Sequence, residues 1–245
     1  MSIVQTLTHR ITRARHASVP SLQARYADCL AHDGLTPRDA VIDDLAAYYP
    51  VDSAHDDGPG RLRASALLWH AYSLTRTAEP PSIVAALAWL DRHCDGRRHL
   101  DVGSGVGVLT ELFVRSGWRS TLAEITPEVL DFARFRLDRR RIDASFIDLC
   151  TEQLPVARFD AVTAFEIFEH VHDVDAAAVA LCSAVRPGGY LVINHIPLRE
   201  DAAGVAAALA RMGMWKQAGI GRAVDIYRSD PERLVTVPAP RTPSA

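Results

Sequence analysis

The sequence predicts an α/β protein: a mostly parallel, doubly wound sheet of seven strands behind a helical N-terminal cover. Three observations carry this. From Arg97 onward short apolar runs alternate with amphipathic helical segments, the pattern of a sheet with helices on its faces. Before Arg97 the periodicity is helical. Between the two, Leu100-Asp-Val102 runs into Gly103-Ser-Gly-Val-Gly107, and an apolar helical pattern starts at Val108. A strand, a glycine turn and a helix bring bare backbone close to a bound ligand, because no Cβ intervenes.

The elements follow in order. Ile3, Val4, Leu7 and Ile11 fit one helical face. The first 27 residues hold no acid and carry Arg10, Arg13, Arg15 and Arg25, which looks like a transit peptide, yet an N-terminal helix of the mature protein is the preferred reading. Thr36-Pro-Arg-Asp39 caps a helix that stops at Pro50. Residues 52–60 form an acidic loop, 62–75 a helix with Trp69, His70 and Tyr72, and 82–94 a further helix. Strands are expected at 98–102, 120–124, 144–147, 159–164 and 190–194. Helices are expected from 108 to 116, from Thr126-Pro127 to beyond Leu137, at 174–185 ending at Pro187-Gly-Gly189, and at 201–212. A hairpin of 215–218 and 223–227, turned by Gly219-Ile-Gly221, closes the sheet. Residues 1–96 then form the cover and substrate lid, 97–230 the ligand-binding domain, and 231–245 a loose, proline-bearing tail.

Composition excludes several function classes. Net charge is −3, so no global field favours nucleic acid. Lys216 is the sole lysine, read as codon bias. Cys29, Cys94, Cys150 and Cys182 are scattered, as in reduced core thiols of a cytoplasmic protein. No apolar run is long enough for a bilayer. The turn has no lysine or arginine for phosphates, against a P-loop. Val108 stands where the dinucleotide fingerprint wants glycine.

Ligands of open α/β sheets sit beyond the carboxyl ends of the strands. There the first strand carries the glycine turn, the second Glu124 (23 residues after Asp101), the third Asp148, and the fourth Phe165-Glu-Ile-Phe-Glu-His170. Glu124 suits a ribose diol. Asp148 suits an exocyclic adenine amine, with Ile125 and Leu149 as apolar walls; a solvated loop acid is its other reading. Glu169-His170 either takes part in chemistry or pins its loop by hydrogen bonds. His170, His172, Asp173 and Asp175 crowd together without a recognisable ligand spacing, so no metal is expected, and Asp173 reads as a helix cap.

Taken in order, Asp101-Val-Gly-Ser-Gly-Val-Gly107, Glu124, Asp148 before Leu154-Pro155, Phe159-Asp-Ala-Val162 leading to Glu169-His170, and Arg186-Pro-Gly-Gly-Tyr-Leu-Val192 resemble the class I S-adenosylmethionine-dependent methyltransferases. The small-molecule branch that includes quinone-biosynthesis methylases is most similar. The resemblance covers 97–195 well, 196–230 loosely, and residues 1–96 not at all. It implies the family's Rossmann-like fold and S-adenosylmethionine as cofactor. Gly103, Ser104, Gly105 and Gly107 would line its methionine portion, with Asp101 bracing the turn. Glu124 would hold the ribose, Ile125, Asp148 and Leu149 the adenine, and Phe165 the methionine amine through its backbone. One departure is Ile125-Thr126 after Glu124, where many relatives carry an acid and serine.

The implied reaction is methyl transfer to oxygen, nitrogen or carbon of a small molecule. If a base is needed, His195 is the first candidate, His170 the second, and Glu166 would orient the acceptor. Structural roles for these histidines stay open. Trp69 and Tyr72, one face-step apart, are the candidate substrate wall, or ordinary core. A non-methylating use of the cofactor, an inactive binding partner, and a protein or RNA acceptor are the alternatives.

Overall fold

The computed structural model describes residues 37–48, 81–194, 202–221, 224–230 and 232. The expected N-terminal helix, the loop at 52–60, the helix at 62–75 and the tail lie outside the described residues. Two helices precede the sheet, α1 (Pro37–Tyr48) and α2 (Pro81–His93). Then come β1 (Arg98–Val102), α3 (Val108–Arg115), β2 (Arg119–Glu124), α4 (Pro127–Arg139), β3 (Ala144–Asp148) and β4 (Phe159–Ala164). The chain continues through α5 (Val174–Ala184), β5 (Val185–Asn194), α6 (Ala202–Arg211), β6 (Met214–Ile220) and β7 (Val224–Ser229).

The seven strands lie in the order β3-β2-β1-β4-β5-β7-β6. β1 to β5 pair in parallel, and β7 runs antiparallel to both β5 and β6. The chain moves outward from β1 to β2 and β3, then crosses to β4 on the other side of β1. That reversal opens a crevice at the carboxyl ends of β1 and β4.

Alternation along the strands builds a core on each face. Tyr190 and Val192 join α1, α2, α3 and α4 on one side, with Leu45, Leu87, Leu112 and Phe132 among the residues meeting there. Leu191 and Ile193 join α5 and α6 on the other, against Leu181, Val205 and Leu209. β4 is buried along its whole length, as a central parallel strand covered on both faces must be.

Two local expectations are corrected. The helix was expected to run to Val185 and the strand to start at Tyr190. Instead Val185 already pairs with Phe159, and Arg186-Pro-Gly-Gly189 bulges out before Tyr190 pairs with Ala161. Glycine permits this: Gly188 holds φ +76°, and a Cβ on Gly189 would come within 2.9 Å of the Asp160 carbonyl oxygen. Thr126 does stand before the first residue of α4, but its side chain makes no capping hydrogen bond. Asp173 caps α5 as expected, accepting from the Ala176 N–H at 2.9 Å.

Candidate functional site

The glycine turn leaves β1 at the crevice. The Gly103 N–H donates to the Ala123 carbonyl at 2.8 Å, fastening the turn to β2. Gly103, Gly105 and Gly107 all have positive φ. At Gly107 (φ +78°) a Cβ would lie 2.9 Å from Leu122, so glycine lets α3 start tight against β2. A Cβ on Gly103 would fall 2.1 Å from the Ile167 side chain. The bare backbone at Gly103 therefore admits Ile167, from the loop beyond β4. The Ser104 hydroxyl is buried with no hydrogen-bond partner among the described residues.

Glu124 and Asp148 end adjacent strands in register. One Glu124 oxygen accepts the Gly105 N–H at 2.9 Å; the other accepts the N–H groups of Ile125 (2.8 Å) and Thr126 (3.1 Å). The acid thus shapes the turn besides facing the crevice. Asp148 accepts from the Cys150 N–H at 2.9 Å and the Thr151 hydroxyl at 3.2 Å, which closes the turn after β3. The Leu149 N–H donates to the Glu124 carbonyl at 3.0 Å, and the Cys150 thiol to the Ile125 carbonyl at 2.9 Å. These bonds bring Ile125 (64% exposed) and Leu149 together at the mouth.

Beneath the turn lies a buried polar chain. Thr110 donates to one Asp101 oxygen at 2.8 Å and Thr163 to the other at 3.0 Å. Thr163 also meets His99 Nε2 at 2.9 Å, and His99 Nδ1 meets the Ser120 hydroxyl at 3.1 Å. With the His99 proton on Nε2, every group from Ser120 to Asp101 has a consistent partner. Burial keeps His99 neutral, its pKa lowered to about 3. Burial also pushes Asp101 up to about 7, against the two threonine hydrogen bonds and with a smaller push from Glu124.

The loop after β4 forms the far wall. Phe165, Glu166 and Ile167 are half-buried. Glu166 holds φ +56°, an uncommon backbone state for a residue with a side chain. Its N–H donates to the Asn194 Oδ1 at 2.5 Å, so the end of β5 fixes the loop. Burial raises the Glu166 carboxyl, and the nearby His170 partly opposes that. His170 itself is exposed.

The structure thus gathers Asp101, Gly103, Ser104, Gly105, Gly107, Glu124, Ile125, Asp148, Leu149, Phe165, Glu166 and His170 at the carboxyl ends of β1 to β4. His195, Trp69 and Tyr72 lie outside the described residues. Sequence reasoning missed Thr110, Thr163, His99, Asn194 and Ile167. The signal for two of them was a polar residue inside a buried strand, Thr163 in Phe159-Asp-Ala-Val-Thr-Ala164 and His99 two positions before Asp101. Asp173 and Asp175 are used elsewhere, as the α5 cap and in an ion pair with Arg211.

Comparison with known proteins identifies the family of the chain. A family described as Methyltransferase domain matches residues 72–230. A ubiquinone biosynthesis O-methyltransferase of Alkalilimnicola ehrlichii is 35% identical over 105 residues, 42% of each chain. A ribosomal protein L11 methyltransferase of Ralstonia nicotianae is 32% identical over 136 residues, 55% of this chain and 44% of that one. The chain therefore spans less than half the length of these curated relatives. Among solved structures, a TehB-like SAM-dependent methyltransferase of Corynebacterium glutamicum superposes with TM-score 0.54 at 17% identity, covering 71% of this chain and all of that one, which shows the shared fold. With a family match over well more than half its length, on a seven-stranded sheet that ends in this glycine turn and acid pair, the chain belongs to the methyltransferase domain family, in the class I, Rossmann-like fold.

Proposed function

We propose that the chain transfers a methyl group from S-adenosylmethionine to a small-molecule acceptor. One observation carries the reading: the glycine turn and the paired acids Glu124 and Asp148 share the crevice where the strand order reverses. The residues suit the cofactor. The Glu124 oxygen that accepts the Gly105 N–H keeps lone-pair capacity for a ribose hydroxyl, while the other already accepts two N–H groups. Ile125 and Leu149 offer apolar walls to a purine. The Ser104 hydroxyl is a buried group within the turn that has no partner among the described residues. The turn carries no cation to repel a sulfonium.

Bound there, S-adenosylmethionine would supply a methyl group that its sulfonium already makes electrophilic. The protein's part is alignment and exclusion of water, an effect on the order of 7–11 kcal/mol in well-oriented systems. Glu166, raised by burial and held by Asn194, is positioned to orient the acceptor and take its proton. His170 stands by as a second acceptor of that proton, and His195, the residue after Asn194, joins them as a candidate from the sequence. Trp69 and Tyr72 are proposed for the substrate wall, within a lid formed by residues 1–96. The free thiols Cys94, Cys150 and Cys182 accord with a cytoplasmic setting. Among the described residues no helix is long and apolar enough to cross a membrane.

A protein acceptor is the second reading, favoured by the longer match to ribosomal protein L11 methyltransferases. Calorimetry with S-adenosylmethionine and S-adenosylhomocysteine tests the cofactor; no heat with either, using folded protein, overturns the whole reading. A screen of hydroxyl- and amine-bearing small molecules, read as S-adenosylhomocysteine formed, tests the acceptor. Turnover only with ribosomal protein would move the assignment to the second reading.

A further inference from the structure

The opposite edge of the sheet carries a second concave site. At the amino ends of β1, β2 and β4, and beside the bulge of β5, lies a cleft of about 720 Å³. That is the size of a small-molecule site, but its lining is polar. Five arginines face it, Arg97, Arg98, Arg119, Arg158 and Arg186, against two aspartates, Asp95 and Asp160. This is a local concentration of positive charge on a protein of net charge −3.

The arginines divide by what they already hold. Arg97 is spent on structure: it donates to the carbonyls of Asp91, Cys94 and Gly96 and lies 4.8 Å above the Trp118 ring. Asp160 is buried and saturated, accepting the Arg98 N–H at 2.8 Å and Arg98 Nε at 3.3 Å and pairing with Arg186. Burial would raise its carboxyl, yet the Arg98 hydrogen bonds and the Arg186 charge hold it below the usual range. It thus fixes Arg98 and Arg186 in place. Arg119 and Arg158 are exposed, and neither guanidinium has a carboxylate within ion-pair distance among the described residues. Their backbones are anchored: the Arg119 N–H donates to the Arg97 carbonyl at 2.7 Å, and the Arg158 N–H to the Ala184 carbonyl at 3.1 Å.

We propose that this cleft binds a small phosphate-bearing anion, a nucleotide or a free polyphosphate. Guanidinium forks suit the bidentate geometry of phosphate oxygens better than a flexible ammonium does, and Asp160 already orients two of them, Arg98 and Arg186. Arg119 and Arg158 supply the uncommitted charge, while Arg98 and Arg186 supply the donors that Asp160 leaves over. The site lies at the end of the strands away from the glycine turn, so it stands whether or not the methyl-transfer reading does.

The test is calorimetric titration of the full chain with inorganic pyrophosphate, and separately with ATP, at low ionic strength. Wild type should bind at least one of them, and the tighter one tells nucleotide from free polyphosphate. Arg119→Gln/Arg158→Gln should weaken that binding by about tenfold or more and leave the melting temperature and S-adenosylhomocysteine affinity as in wild type. Absence of heat with both probes, unchanged affinity in the double variant, or equal displacement by sulfate at matched ionic strength would each overturn the proposal. Much tighter binding of a single-stranded oligonucleotide, lost in the same variant, would overturn it in favour of a nucleic-acid surface.

Discussion

At Glu124 one carboxylate oxygen holds the Gly105 N–H and the other holds Ile125 and Thr126, so a single side chain shapes two loops of the proposed cofactor crevice. Glu124→Ala should weaken S-adenosylhomocysteine binding by about 1.5–3 kcal/mol, the scale of hydrogen bonds to a charged group, and also lower the melting temperature. Glu124→Gln keeps one acceptor and should lose less of both. Calorimetry and thermal melts of the two variants check this, and full affinity in the alanine variant would contradict the ribose role. Asp101 makes a different prediction. Its folded pKa stands at about 7, above the ordinary 3.8. Between those values the folded protein holds a proton that the unfolded chain has released. Stability therefore falls as pH rises from about 4 to about 7, by up to about 4 kcal/mol from this group. Asp101→Asn cannot ionise and should flatten that slope in urea unfolding followed across the same range. An unchanged slope would mean that Asp101 ionises normally in the fold.

The sequence marks out α1 along the chain but not the partners it packs against. Asp44 is fully buried, and it pairs with Arg140 at 2.5 Å, Arg139 at 2.6 Å and Arg136 at 3.4 Å, the last two on α4 and Arg140 capping its end. Arg136 continues to Glu111 of α3 and donates to the Val106 carbonyl inside the glycine turn at 3.3 Å. Burial disfavours the Glu111 charge, but Arg136 and Arg115 outweigh it and lower its pKa. The network thus ties α1 to the turn through α4 and α3. Asp44→Ala would leave Arg136 and Arg140 buried without that partner, and a loss of about 3–5 kcal/mol is expected in chemical denaturation. Arg139→Ala, at a half-exposed end of the same network, should cost under about 1 kcal/mol. Equal effects would show that burial does not govern the network. None of this is legible in sequence: Asp44 and Arg140 are 96 positions apart, and periodicity reports which face of a helix is apolar but not what lies against it. The central strands β1, β4 and β5 were legible because burial on both faces writes itself as apolar runs. The β5 bulge was not, since Pro187-Gly-Gly189 reads as a helix stop and the pairing of Val185 with Phe159 is a long-range event.

Across the whole molecule, the parallel sheet sorts chemistry to its two edges. All strands from β1 to β5 point one way, so their carboxyl ends collect the glycine turn, Glu124, Asp148 and Glu166 while their amino ends collect Arg98, Arg119 and Arg186. Ends of strands are readable from sequence, which is why the acids of the crevice were found. The hydroxyls of Thr110 and Thr163 were not, because a threonine gives no sign of its partner until the sheet registers it against Asp101. Ser120 lines the arginine cleft and is the outer member of the buried chain through His99 and Thr163 to Asp101, so the two edges are joined by one continuous line of hydrogen bonds. Every member of that line is buried among packed strands, and coupling between sites needs an element with two arrangements. The edges should therefore respond independently. In hydrogen exchange, S-adenosylhomocysteine should slow the amides of Gly105, Ile125, Thr126 and Leu149 and leave those of Arg98, Arg119 and Arg158 at their free rates. Pyrophosphate should do the reverse. Protection of Arg119 and Arg158 by S-adenosylhomocysteine as strong as that of Gly105 would show that the sheet transmits binding from one edge to the other.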